Sequence, residues 1–125
     1  MLGTTDAGLK SWNDQFFDFI NDYTELINSF KNMASKPQVH VMLPPPVYNN
    51  QSSAQIVTLW QLPNIIPDIV KKTGTSMINI LEALGGQQLQ DFELFCDHQN
   101  CDKTVPNHAG QTHIASTVYK ALFNP

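Results

Sequence analysis

"KPQVHVMLPPP", residues 36–46, decides how this chain is read. Val39 to Leu43 is a short apolar run rich in β-branched residues, and Pro44, Pro45 and Pro46 follow without the N–H groups that a sheet ladder needs. The stretch predicts a buried strand that ends in a stiff loop. On its N-terminal side, Trp12, Phe16, Ile20, Tyr23, Ile27 and Phe30 recur every three or four residues. That spacing predicts an amphipathic helix from Ser11 to about Met33. Ser11 and Asp14 have the spacing of a capping box, with Asp in place of the usual Glu or Gln.

On the C-terminal side, "SAQIVTLWQLPNIIPDIVKKTG" (53–74) predicts a second helical region, interrupted at Pro63 and Pro67 and stopped by Gly74. "SMINIL" (76–81) is the second strand candidate. A strand, a helical connection and another strand imply parallel pairing through a right-handed crossover. A last helix over about 108–123 places Ile114, Val118, Ala121 and Leu122 on one side, with Asn107 as its N-cap. Trp12 and Trp60 both fall at helical positions and are expected to pack inside.

The chain has 125 residues, enough for one domain and few for an α/β architecture covered on both sheet faces. Hydrophobic residues make up 42% and charged residues 14%, with no apolar run near the roughly 18 residues of a membrane span. The opening "MLGTTDAGLKSW" has neither the basic nor the apolar region of a secretory signal. Net charge is −4 and the seven Lys and Arg are scattered, which argues against a nucleic-acid partner. Asn50-Gln51-Ser52 is a glycosylation sequon, relevant only if the chain is secreted.

The polar segment "FCDHQNCDKTVPNHAGQTHIA" (95–115) concentrates reactive side chains. Cys96 and Cys101 are the two cysteines, placed to close a small disulfide in an oxidising compartment or to remain as thiols. Together with His98, His108 and His113 they suggest zinc, but their spacings fall outside the usual finger patterns. No metal and no cofactor is expected. His40, within the first strand, is expected to be a satisfied core or rim histidine.

Two parallel strands leave every sheet edge open, and parallel sheets are normally buried among several strands. Further strands are therefore expected from elsewhere, through a protein partner or a second copy of the chain.

Read in order, "MLGTTDA", "SWNDQFFDFINDYTELI", "VHVMLPPPVY", "INIL" and "DKTVPNHAGQTHIASTVYKAL" resemble the latter part of an SGNH-type (GDSL-like) esterase, most similar to the members related to carbohydrate O-acetyl esterases. The resemblance implies an α/β fold: a partial flavodoxin-like three-layer α/β/α sandwich, few parallel strands with covering helices, and residues 1–125 as the C-terminal part of one incomplete domain. It also implies a mechanism in which a serine attacks, a histidine takes its proton, an acid orients the histidine and backbone or Asn donors meet the oxyanion.

Compared with that pattern, this sequence departs at each block. The Gly-x-Asn-Asp block corresponds to Gly3-Thr4-Thr5-Asp6, so Thr5 stands where the oxyanion Asn belongs. The Asp-x-x-His-Pro block corresponds to Asp102-Lys103-Thr104-Val105-Pro106, which keeps the acid in Asp102 and puts Val105 at the position of the base. No Gly-Asp-Ser nucleophile block occurs in the sequence. His108, one helical turn beyond the base position, would stand about 5 Å out of place. The expectation is a degenerate domain that is not catalytic alone and serves as a structural or interaction subunit. The alternatives are a carbohydrate O-acetyl ester hydrolase whose nucleophile comes from a partner or from sequence missing here, and a binding remnant for acetylated carbohydrate. A truncated gene product or an alternative start would account for where Met1 falls.

Overall fold

The computed structural model describes residues 2–8, 11–48, 53–88, 92–95 and 104–124. In chain order the elements are α1 (Thr4–Ala7), α2 (Trp12–Lys31), β1 (His40–Leu43), α3 (Ser53–Ile56), a π-helical turn (Val57–Gln61) and α4 (Leu62–Thr73). They continue with β2 (Ser76–Asn79), α5 (Ile80–Ala83), 3-10 turns at Gly86–Gln88 and Phe92–Leu94, and α6 (His108–Phe123). The architecture is mixed α/β and mostly helical.

Among the described residues the sheet has two strands, β1 and β2, paired in parallel with His40 opposite Ser76 and Leu43 opposite Asn79. Strand alternation divides the core. Val41 and Leu43 enter one apolar cluster with Trp12, Ile27, Leu62, Ile66 and Ile69 of α2 and α4. Met42, between them, faces a second cluster in which Ile78, Leu84, Phe95 and Tyr48 pack with Ile114 and Val118 of α6. Helical elements thus cover both faces of a pair of strands that could not persist alone. Burying each Leu or Ile contributes about 1.5–3 kcal/mol, so these two clusters, not the four-residue strands, supply the stability.

The sequence pattern located most elements but missed some of their ends. α2 follows its apolar stripe and stops at Lys31, whose ammonium donates to the Thr73 carbonyl at the end of α4. Ser11 is the residue before α2, but its side chain makes no capping bond, so the expected capping box is not formed. The expected strand 76–81 ends at Asn79, because the Asn79 side chain accepts from the Glu82 amide at 3.1 Å and starts α5. Gly74, at φ 62°, ends α4 as expected.

The two prolines do not end the second helical region: Pro67 sits inside α4, and Pro63 follows a reshaped turn. Pro63 cannot donate to the Leu59 carbonyl, and its ring crowds that carbonyl. The chain widens into a π-turn in which the Leu62 amide reaches back to Val57. The Leu59 carbonyl is met instead by the Gln87 side-chain amide at 2.9 Å. Within this turn Trp60 points outward and is 55% exposed, which corrects its expected packing role, whereas Trp12 is 4% exposed and donates its indole N–H to Gln61.

Candidate functional site

The segment read from the resemblance as the Gly-x-Asn-Asp block runs into the short helix α1. Gly3 precedes it with φ 116°, a conformation that side chains resist, and a Cβ there would lie 2.9 Å from Leu62 Cδ1. Gly3 is therefore fixed by both backbone angle and packing. The turn it permits buries Ala7 in the first cluster and leaves Thr5 exposed to solvent. Just before it, the Leu2 amide hydrogen-bonds the hydroxyl of Tyr23, whose pKa is nonetheless raised because burial disfavours the phenolate.

Residues 104–110 are held by a different device. Asn107 donates its backbone N–H to the Leu94 carbonyl at 2.9 Å and its side-chain N–H to the Glu93 carbonyl. Its side-chain oxygen accepts from the Gly110 amide at 2.9 Å, which caps α6 as the sequence predicts. Gly110 lies so close to the Phe92–Leu94 turn that a Cβ would stand 2.3 Å from the Leu94 carbonyl oxygen and 2.8 Å from Pro106. Val105, just upstream of this clamp, is 59% exposed. Asp102, Cys96, His98 and Cys101 lie outside the described residues, as does the sequon.

Thr5 and Val105 thus belong to parts of the molecule organised around different clusters. α1 packs on α3 and the π-turn, beside the first cluster. The 104–110 segment is tied to Glu93 and Leu94, beside the second. His108 and His113 are both exposed on α6.

The stiff loop expected after β1 is deeply placed. Pro44, Pro45, Pro46, Val47 and Tyr48 are all buried, and the Tyr48 hydroxyl donates to the Leu84 carbonyl at 3.1 Å. The Tyr48 and Phe95 rings lie 4.4 Å apart. These prolines are core elements that bring Tyr48 onto the second cluster. Beside β2, a cleft of about 420 Å³ is lined by Met77, Pro63, Pro67, Asn79, Glu82 and Gln88, among others. Of the side chains that edge it, the Asn79 carbonyl oxygen accepts from the Glu82 amide and the Gln87 side-chain N–H donates to the Leu59 carbonyl.

A hydroxyl–imidazole contact does occur, at the opposite end of the strands. Ser76 Oγ and His40 Nδ1 lie 2.6 Å apart across the first register pair, near the amino ends of β1 and β2. Neither the pattern of β1 nor that of β2 predicts this pairing, which depends on register. It satisfies His40 as a rim histidine. A triad would also need an acid on the other ring nitrogen, and among the described residues none is bonded there.

Among the described residues no group of three or more His, Cys, Asp or Glu side chains could hold a metal ion. No helix among them is long and apolar enough to cross a membrane. Comparison with protein-family models, with curated proteins and with solved structures finds no match for this chain.

Proposed function

We propose that this chain is a degenerate SGNH-hydrolase-like α/β unit, not catalytic by itself, that acts as a structural or interaction subunit. The observation that carries the proposal is the setting of Val105. At the position where the resemblance puts a general base, an aliphatic side chain stands exposed beside a rigid Asn107–Leu94 clamp, and the clamp holds His108 on the following helix. Moving His108 by a helical turn would require breaking that cap, which typically costs about 1 kcal/mol, besides the packing of Gly110. The strand, helix and strand order with helices on both faces supports a flavodoxin-like parentage, and the two-stranded sheet supports a partner that extends it.

The purified chain should be assayed with p-nitrophenyl acetate and with acetylated xylo-oligosaccharides, alongside Asp102→Ala. The expected result is no turnover that depends on Asp102, together with a native mass above that of the monomer when partners are present. Hydrolysis abolished by Asp102→Ala would overturn the proposal in favour of an acetyl ester hydrolase. So would a stable monomer that associates with nothing.

A further inference from the structure

One face of α2 lines an open groove. Trp12, Phe19 and Tyr23 form an edge-to-face ladder, with ring centroids 5.3 and 5.6 Å apart. They form one wall of a groove of about 430 Å³, which Leu2 and Leu26 also line. Leu26 is 41% exposed, so the apolar lining continues to the surface. Asp6, Asp18 and Asp22 also line this groove.

The acids have an energetic cost inside the chain. Asp14, Asp18 and Asp22 follow one another at intervals of four on α2, so the neighbouring carboxylates Asp18 and Asp22 repel along one face of the helix. Among the described residues no Lys pairs with Asp18 or Asp22, and the basic residue in the last turn of α2, Lys31, is committed to the Thr73 carbonyl. A second copy of the chain docked by the same face would bring the same carboxylates and add repulsion. Positive charge brought alongside the aromatic ladder would relieve it.

Resting on the reading of the chain as an interaction subunit, we propose that this groove binds a basic amphipathic segment of a partner protein, with apolar side chains against Phe19 and Leu26 and Lys or Arg side chains against Asp18 and Asp22. The rings already contact one another, so binding requires little rearrangement of the groove. The carboxylates select the sign of the partner's charge and the apolar lining holds it.

The test is titration calorimetry of the whole chain with a helical Leu–Lys peptide of about five turns and its Leu–Glu counterpart. The Leu–Lys peptide is expected to bind and to weaken as salt rises from about 0.05 to 0.5 M, while the Leu–Glu peptide does not bind. Asp18→Asn with Asp22→Asn should reduce affinity about three- to tenfold without loss of helicity, and Leu26→Ser should weaken it as well. Glu25→Gln with Asp68→Asn, whose side chains do not line the groove, should change it less than twofold. Equal binding of both peptides, or equal effects of the two charge-removing pairs, would overturn the proposal. Binding of decyltrimethylammonium as tight as that of the Leu–Lys peptide would also overturn it, by showing a pocket for small cations. Ester turnover by the chain would instead count against its proposed function and leave this charge selectivity to be judged on its own.

Discussion

Replacing Gly110 with alanine should unfold the protein more easily, although alanine is the better helix former. A Cβ at Gly110 would stand 2.3 Å from the Leu94 carbonyl oxygen, which belongs to the backbone and cannot rotate away. Opening that contact to about 3.2 Å moves the first turn of α6 by roughly 0.9 Å. The Asn107 N–H to Leu94 bond, now 2.9 Å, would lengthen beyond the useful range. Overpacking costs about 1–3 kcal/mol and the lost bond about 0.5–1.5, while helix propensity returns about 1. The net loss is about 0.5–3.5 kcal/mol, or roughly 2–14 °C in Tm at about 4 °C per kcal/mol for a domain of this size. Gly8→Ala is the internal control: at φ −82°, with the nearest atom 3.4 Å from its Cβ, it should stabilise by about 0.4–1 kcal/mol. Urea and thermal denaturation of both variants decide the matter. If Gly110→Ala matches or exceeds the wild type, the close approach of α6 to the Phe92–Leu94 turn is wrong, and so is the rigid setting of Val105.

Trp60→Phe should leave blue-shifted emission from Trp12 that iodide barely quenches, whereas Trp12→Phe should leave a red, quenchable Trp60; the reverse pattern would refute the outward turn at Trp60. Because burial raises the Tyr23 pKa, the neutral side chain stabilises the fold below about pH 10, and that contribution fades as pH climbs from there through the raised folded value. Tyr23→Phe should therefore lose stability less steeply than the wild type above that pH, and parallel alkaline limbs would contradict the assignment. Gln87→Ala leaves the buried Leu59 carbonyl without its amide partner and should cost about 1–2 kcal/mol in urea unfolding, an effect absent if the π-turn is satisfied otherwise. Thr5→Asn combined with Val105→His, both at exposed positions, should change stability by under about 0.5 kcal/mol and produce no hydrolysis of p-nitrophenyl acetate.

What the sequence made legible follows from which interactions are local. The α2 stripe repeats over a 20-residue helix, so its periodicity survives any tertiary detail. β1 is bounded by three prolines and α6 by Asn107, and each signal acts within a few residues of where it is written. The π-turn was only half legible: Pro63 announces a missing donor, but the compensating amide comes from Gln87, 28 residues away in sequence. That turn also breaks the α-helical phase on which the inward reading of Trp60 depended. Of the candidate site, Gly3 and Asn107 carry backbone roles that their residue types advertise. The Ser76–His40 contact depends on strand register, and the groove depends on α2 meeting Leu2, so neither could be read from spacing alone. The spacing of Asp14, Asp18 and Asp22 carries no signal of its own in the sequence and gains meaning only beside the aromatic ladder.

The division of the core bears on why, under the proposed reading, placing an Asn at position 5 and a His at position 105 should not create chemistry. Acyl transfer needs donors, base and alcohol held to within a fraction of an ångström, on supports that do not move relative to one another. Thr5 is positioned through Gly3, Ala7 and Leu62, all of them on or against the first cluster. Val105 is positioned through Asn107, Gly110 and Leu94, against the second. Among the described residues, the two clusters meet across a pair of four-residue strands, with Val41 and Leu43 on one side and Met42 on the other. A wider parallel sheet would hold both supports in one frame; two short strands resist shear and twist far less. A partner that adds strands would stiffen this frame before it contributed any catalytic group, so amide exchange in residues 40–43 should slow on partner binding even where no ester is cleaved.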